Sequence, residues 1–287
     1  MDLVALQIFK TVAESGGITR AAARLHRVQS NVTTRVKQLE QRLGTRLFHR
    51  HKRRLVLSAE GKLLLEYADR LLQLSAEAQA ALRDGAPQGL LRLGSLESTA
   101  AVRLPPLLSR FHLAYPKVRL ELVTGTSGAL VAKVLAGEIE AAFVAEPFTA
   151  DGLATQHAFD ERLVLITPKS FRRVRTARDI GHASVLAFAA GCSYRRRLEA
   201  WLGRSKLAPD RVMEYGSYHA IVACAAAGAG VAVVPRSVLD IVQPKLDVAT
   251  HPLPPEIAQA RTMLVWRRGH RSATLDALRA QLARAKS

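Results

Sequence analysis

At 287 residues with a hydrophobic fraction of 48%, the chain is long enough for two or three packed domains and has the apolar content of a soluble globular protein. No apolar run reaches the roughly 20 residues a bilayer span needs; the longest candidate, IVACAAAGAGVAVVP from Ile221, is rich in Ala and Gly and stops at Pro235. The net charge of +18 favours anionic partners, but residues 1–88 hold 15 Lys/Arg against 8 Asp/Glu and residues 89–287 hold 27 against 16, so charge alone does not locate a nucleic-acid surface.

The opening residues, MDLVALQIFKTVAESGG, lack the basic-then-apolar order of a signal peptide, which leads to the expectation of a soluble cytoplasmic protein with no membrane contact. Cys192 and Cys224 stand 32 positions apart without C-x-x-C spacing, so a zinc site is not expected. Cys224 reads as a small buried hydrophobe. Cys192, in GCSYRRR beside arginines, has surroundings that can lower a thiol pKa, but a small residue lining a pocket accounts for it better.

Leu3, Leu6, Phe9 and Val12 recur at helical spacing before a Ser-Gly-Gly break at 15–17, which predicts a first helix. In ITRAAARLHRV, Thr19 is the expected N-cap of a second helix, and Ala22, Ala23 and Leu25 give it a small apolar face. Residues 29–44, QSNVTTRVKQLEQRLG, predict a third helix with a stripe of Val32, Val36, Leu39 and Leu43 and a C-cap at Gly44. Its first turns carry polar, poorly helix-forming side chains, as an exposed reading surface would. Three short helices with a tight turn around 26–29 make a helix-turn-helix.

Arg46, Arg50, Lys52, Arg53 and Arg54 follow within nine residues, flanked by Leu47, Phe48, Leu55, Val56 and Leu57. This predicts a hairpin wing with a basic tip. A solvated charge run is the weaker account, because no acid lies between Glu40 and Glu60 and the cations repel unless an anion such as a DNA phosphate is beside them. From Ser58, the capping-box-like S-A-E-G opens a long helix to about Arg83. Leu64, Leu71 and Ala78, with Tyr67, Leu74 and Ala81, recur every seven residues. That is a coiled-coil seam pointing to a dimer; a helix packed only on its own domain is the alternative.

LQIFKTVAESGGITRAAARLH, QSNVTTRVKQLEQRLGTRLFHR and the S-A-E-G that follows resemble the winged helix-turn-helix of the LysR-type transcriptional regulators, without a gap over about the first 65 residues. The resemblance implies that Gln29, Ser30, Asn31, Thr33, Thr34 and Arg35 face the major groove or its phosphates. Thr19, Arg20 and Lys37 and the wing cations Arg50, Lys52, Arg53 and Arg54 complete the DNA-contacting set. The chemistry fits: Gln and Asn pair bidentately with adenine, Arg with guanine, and hydroxyls with bases or phosphates. One departure stands out. The family usually has Ser or Thr just before the Gln and often Pro after it; here Val28 and Ser30 occupy those places. With that cap missing, Ser30 is expected to cap instead and to start the helix slightly later.

After the break at Ala86-Pro87-Gln88-Gly89, LLRLGS reads as a strand, 101–114 as a helix, VRLELVTG as a strand, SGALVAKVLAG as a helix and EAAFVAE as a strand, an alternation that predicts a parallel α/β sheet. ERLVLITP, SVLAFAA, a helix near 194–203, RVMEYGS, a helix from Tyr218 and GVAVVP form a second series. RTMLVWRR and SATLDALRAQLARA follow and return to the first lobe. Two such lobes indicate a bilobed binder with its ligand in the cleft. The LysR-type family carries such an effector domain, similar to periplasmic solute-binding proteins, so the resemblance extends over nearly the whole chain. It implies ligand contacts from Ser98 and Thr99, Thr126 and Ser127, Cys192, Ser193 and Tyr194, and Ser217 and Tyr218. All sit at strand-to-helix junctions, where free backbone N–H groups collect. Each taken singly is as well explained as an N-cap; their convergence on one cleft is the stronger ground.

The expected fold is therefore α+β and multidomain: a winged helix-turn-helix DNA-binding domain over 1–58, a long linker and dimerisation helix over 59–88, and a bilobed α/β, periplasmic-binding-protein-like effector domain over 89–287. Lobe I covers about 90–161 and 268–287, lobe II about 162–267. The expected function is a sequence-specific DNA-binding transcriptional regulator, switched by a small-molecule effector and assembled as a homodimer or homotetramer. Its partners are double-stranded DNA, a second copy of itself, the effector and, as a further candidate, RNA polymerase. No cofactor or metal is expected. The basic balance of the second part favours an anionic effector, and Arg195 to Arg197 either meet it or pair locally. An enzyme is a poor alternative: G-x-S-x-G, H-E-x-x-H and G-x-x-x-x-G-K-[ST] are absent and the nine histidines do not cluster. A free-standing solute-binding protein leaves the first 88 residues unexplained, and an architectural DNA-binding protein leaves the cleft unexplained.

Overall fold

The computed structural model of the chain describes residues 1–51, 54–81, 86–171, 173–242 and 247–284. It divides into two compact units, Met1–Asp84 and Gly85–Ser287. Among the described residues no helix is long and apolar enough to cross a membrane.

The first unit starts with α1 (Leu3–Ser15), capped by the Asp2 carboxylate on the Ala5 N–H at 2.7 Å and closed by Gly16 at φ 63°. α2 (Ile18–Arg24) follows, with Gly17 as its N-cap; Thr19 lies inside this helix and caps nothing, contrary to expectation. α3 (Gln29–Leu43) begins directly after Val28 and ends at Gly44 in the left-handed conformation. Ser30 does not start the helix, because the extended backbone of Val28 (φ −71°, ψ 142°) already satisfies the N-cap geometry without a side-chain hydrogen bond. Val32, Val36 and Leu39 are buried against α1 and α2, each worth about 1.5–3 kcal/mol of burial. Leu43 of the expected stripe is 39% exposed.

β1 (Phe48–His51) and β2 (Arg54–Leu57) form the antiparallel wing, with Phe48 opposite Leu57 and His51 opposite Arg54. The Glu40 carboxylate accepts the N–H groups of Leu47 at 2.8 Å and Phe48 at 3.3 Å, which fixes the wing to the end of α3. α4 (Ala59–Ala81) packs on α1; its expected end near Arg83 lies outside the described residues. Leu64, Leu65, Ala68 and Leu72 face the helix-turn-helix core, while Leu63, Tyr67, Leu71 and Leu74 are exposed. Of the expected seam Tyr67, Leu71 and Leu74 face outward, whereas Leu64 turns inward because α1 covers that side.

In the second unit β3 (Gly89–Ser95), α5 (Glu97–Val102), α6 (Leu104–Ala114), β4 (Val118–Thr124), α7 (Ser127–Ala136) and β5 (Ala141–Ala145) build lobe I. The single helix expected over 101–114 is two, broken at Arg103 ahead of Pro105 and Pro106, whose missing N–H groups suit a helix start. β6 (Leu153–Pro168), β7 (Val185–Ala187), α8 (Ser193–Arg204), β8 (Val212–Glu214), α9 (Tyr218–Ala226), β9 (Ala232–Pro235), α10 (Arg236–Val242), β10 (Val248–Pro252), α11 (Pro255–Ala258), β11 (Gln259–Arg267) and α12 (Ala273–Arg284) complete it.

The strand order β10-β6-β11-β5-β3-β4, with β9 also on β6, makes one curled seven-stranded sheet; β7 and β8 form a separate parallel pair. The sheet is mixed rather than all-parallel: β3 runs parallel to β4 and β5, whereas β11 is antiparallel to β5 and β6, and β6 to β9 and β10. β5 is buried throughout because it is central. Ala141 and Phe143 face the core under α6 and α12, and Ala142 and Val144 the core under α7.

β6 belongs to both lobes. Its first part pairs with β11, and Leu163–Ile166 pair with β9. The pairing of β11 with β5 places Thr262–Trp266 in lobe I, so the chain returns before Arg267, where lobe II was expected to end. At the outward crossing the Glu161 carboxylate, its side chain 4% exposed, is held from both sides. Arg103 Nε of lobe I donates to it at 2.7 Å and Ser237 Oγ of α10, in lobe II, at 2.8 Å.

Candidate DNA-reading surface and inter-lobe cleft

On α3 the alternation of Val32 and Val36 with polar neighbours turns most of the predicted DNA-contacting side chains outward. Gln29, Ser30, Asn31, Thr34, Arg35 and Lys37 are exposed. Thr33 is half-buried and donates its hydroxyl to the Gln29 carbonyl at 2.9 Å, so only its oxygen lone pairs are left for a ligand. Asn31 and Val32 return their N–H groups to Val28 O, which leaves those of Gln29 and Ser30 as the first-turn donors of a 15-residue helix. Thr19 and Arg20 are exposed on α2. Lys52 and Arg53 lie outside the described residues, as do the side chains of Arg50 and Arg54, whose backbones form the wing strands.

Val28 is 71% exposed at a position that asks for a hydroxyl. Val28→Ser should stabilise this unit by about 1 kcal/mol by satisfying a free N–H of the first turn, read as a raised urea midpoint in far-UV circular dichroism. An unchanged midpoint would mean that water already serves that N–H as well.

The second surface is a narrow cleft between the lobes. From lobe I come Leu96, Glu97 and Ser98 after β3, Gly125 and Thr126 after β4, and Ala145 at the end of β5. From lobe II come Phe188, Cys192, Ser193 and Tyr194 before and within α8, and Tyr218 at the start of α9. The Phe188 and Tyr218 rings pack tilted at 4.8 Å.

The predicted junction residues divide into four groups. Ser127 and Ser193 are stitched into the lobe contact: Ser193 Oγ donates to Ala145 O at 2.7 Å and lies 3.0 Å from Ser127 Oγ, and Ser127 Oγ accepts the Ala145 N–H at 3.1 Å. Thr126 and Ser217 cap α7 and α9, accepting the N–H groups of Ala129 and His219. Ser98, Thr99 and Tyr194 are buried; Ser98 and Thr262 face the Tyr194 hydroxyl, and Ser98 and Tyr194 line the cleft, whereas Thr99 does not. Cys192 and Tyr218 line it as well.

Close approach of the lobes needs Gly191, which has φ +91° and would set a Cβ 3.0 Å from Thr126 Oγ1. Its carbonyl accepts the Gly128 N–H at 3.3 Å across the cleft.

Burial pushes the Cys192 thiol up, against the smaller pull of the Tyr194 and Arg195 N–H groups and of the Arg195 and Arg196 charges. It is a neutral thiol in a pocket wall, without the lowered pKa its arginine neighbours could give. Burial likewise raises Tyr194 and Tyr218, reinforced at Tyr194 by Glu161. Of the three arginines Arg195 pairs locally, with Glu199 at 2.7 Å and Glu214 at 2.6 Å, while Arg196 and Arg197 donate to the distant carbonyls of Pro147 and Glu146, just after β5.

Sequence reading missed Glu97. It stands beside Ser98, but nothing in its spacing shows that its carboxylate turns into the cleft. No Lys or Arg lines that cleft, so the anionic bias expected from the basic composition does not reach it. Among the described residues no group of three His, Cys, Asp or Glu side chains could hold a metal ion.

Residues 3–62 match the bacterial regulatory helix-turn-helix proteins of the lysR family, and residues 84–287 match the LysR substrate binding domain. GltR, an HTH-type transcriptional regulator of Bacillus subtilis strain 168, is 37% identical over 269 residues, which cover 93% of this chain and 91% of GltR. YofA of Bacillus velezensis, also an HTH-type transcriptional regulator, is 39% identical over 262 residues, covering 91% of this chain and 90% of its own. The crystal structure of full-length CbnR with its target DNA is similar at a TM-score of 0.70 and 26% identity, covering 99% of this chain and all of that one.

Proposed function

The chain belongs to the LysR family of bacterial helix-turn-helix transcriptional regulators, and from that membership we propose that the start of α3 reads its operator and a small molecule in the inter-lobe cleft sets the reading. The observation that carries this is the division of α3 into two faces: Val32, Val36 and Leu39 hold the helix, while Gln29, Ser30, Asn31, Thr34 and Arg35 are all exposed at one end of it. Two free N–H groups at the same end suit a phosphate, and the wing cations suit the flanking backbone. Tyr67, Leu71 and Leu74, exposed on α4, support a dimer through that helix, which places two reading helices on a dyad-symmetric site; such dimers pair into a tetramer. CbnR, whose structure holds its target DNA, supports DNA as the partner. RNA polymerase is the further partner this reading brings, and the cytoplasm its compartment.

Ligand control follows from the cleft's position. A molecule touching both Ser98 of lobe I and Tyr194 of lobe II stabilises the lobe arrangement it fits and shifts the population toward it. Arg35→Ala should lower operator affinity by about 1–3 kcal/mol and relax base preference at one position, while binding to random DNA falls far less. Fluorescence anisotropy on operator and scrambled duplexes at one salt concentration measures both. Equal losses on the two duplexes would assign Arg35 to the phosphates instead.

A further inference from the structure

Val28 breaks a local rule without any gain to the fold. It is the N-cap of α3, where Ser, Thr, Asp or Asn would serve the first turn, and it makes no side-chain hydrogen bond there. It adds nothing to the core either: it is 71% exposed and stands outside the cluster that holds Val32, Val36 and Leu39. Among the described large hydrophobic residues of this unit it is the most exposed. It is also held still. His26, in the left-handed conformation at φ 51°, closes α2, and the N–H groups of His26 and Arg27 return to the carbonyls of Ala23 at 3.2 Å and Ala22 at 2.9 Å. On the other side the Val28 carbonyl accepts the N–H groups of Asn31 at 3.1 Å and Val32 at 3.3 Å. The chain is tied before and after Val28, and a β-branched side chain has a stiff χ1, so its methyl groups meet solvent at a fixed place. Gln29, Ser30 and Asn31, exposed beside them, are all polar.

Building on the proposed reading of the operator by the start of α3, we infer that Val28 is a further specificity-determining residue, whose methyl groups pack on the C5 methyl of a thymine in the major groove. An α-helix fits that groove, and the thymine methyl is the apolar group that base edges present there. The Val28 side chain carries no donor, acceptor or charge, so a phosphate is not its partner. The edges of guanine, cytosine and adenine present nitrogen and oxygen groups that an isopropyl group would desolvate without return, so the contact selects thymine rather than tolerating it. The fixed backbone on either side of Val28 means that little freedom is lost when the contact forms. A missing helix cap at a base-reading end is then intelligible: the position trades some stability of α3 for base preference, as functional positions that break a local rule do.

Duplexes enriched by the full chain from a random pool supply an operator, and fluorescence anisotropy reads its affinity. Replacing its thymines position by position with deoxyuridine removes the methyl and nothing else. At one position in each half-site the wild type should lose roughly fourfold in affinity, the equivalent of one buried methyl, whereas Val28→Ala should lose less than about twofold from the same replacement. Val28→Ser should lose the discrimination in the same way although its helix is better capped, a separation of stability from base preference that a merely structural role would not give. Far-UV circular dichroism checks that the variants fold, and their binding to scrambled duplex should match that of the wild type. An operator with no methyl-sensitive thymine, or with one whose sensitivity survives in Val28→Ala, overturns the contact and leaves the reading by α3 standing. A pool in which no sequence is enriched overturns that reading as well.

Discussion

Gly61→Ala should lower the melting temperature of the helix-turn-helix unit by roughly 10–20 °C and remove most operator binding. A Cβ at this position in the first turn of α4 would lie 2.1 Å from the Leu47 carbonyl oxygen, 3.0 Å from its carbon and 3.0 Å from Leu57 Cδ2. The oxygen cannot retreat. It accepts the Ser58 N–H at 2.9 Å, Ser58 Oγ donates to the Arg46 carbonyl at 2.8 Å, and Glu40 holds the Leu47 N–H. Relief must come from moving α4 away from the wing, which opens the core around Leu47 and Ala68 and tilts the hairpin from α3. The cost is about 3 kcal/mol, a large part of the stability of a domain this small. Far-UV circular dichroism on heating and anisotropy on the operator measure the two effects. Tryptophan emission should stay unchanged, since both tryptophans lie in the other unit. A variant with an unaltered melt would show that the wing and α4 separate freely.

That glycine shows how far the sequence could be taken. S-A-E-G was legible as a helix start, and Ser58 Oγ does accept the Gly61 N–H at 2.8 Å. The reason for glycine was not legible, because the clashing atom belongs to a carbonyl 14 positions earlier in the chain. The same boundary separates other successes from failures. The faces of α3 follow from a period of 3.6 residues, a local property, so the buried stripe of Val32, Val36 and Leu39 was legible in the chain alone, whereas the DNA-contacting set was named from the family resemblance. Leu64 was placed in an outward seam because heptad spacing does not say which side α1 covers. In the second unit the strands were legible by composition, but their directions were not: β6 and β11 pair across about a hundred residues, and only that pairing makes the sheet mixed. The cleft hydroxyls were named as a group, whereas the split between Ser127 and Ser193, spent on the lobe contact, and Ser98 and Tyr194, which meet in the cleft wall, depends on how the lobes close.

Arg103→Ala should destabilise the effector unit by about 3 kcal/mol, more than Glu161→Gln, although the two residues form one pair. The asymmetry comes from burial. The Glu161 side chain is 4% exposed and Arg103 36%. Removing the arginine leaves a carboxylate in the sheet crossing with Ser237 as its remaining side-chain donor. Removing the glutamate charge frees a guanidinium that reaches water, and the Gln amide keeps an oxygen for Arg103 or Ser237, so that variant loses about 1–2 kcal/mol. The double variant should then be more stable than Arg103→Ala alone, because the stranded charge is gone. Urea titration by tryptophan emission measures all three, with Trp201 of α8 reporting lobe II and Trp266 of β11 reporting lobe I. The pair also joins the lobes, since Arg103 belongs to one and Ser237 to the other. In Arg103→Ala the preference for one lobe arrangement should weaken, and effector affinity should fall even though Arg103 does not line the cleft. A larger loss in Glu161→Gln than in Arg103→Ala, or a double variant with the summed losses, would show that the carboxylate finds water at the crossing and that the lobes are not held there.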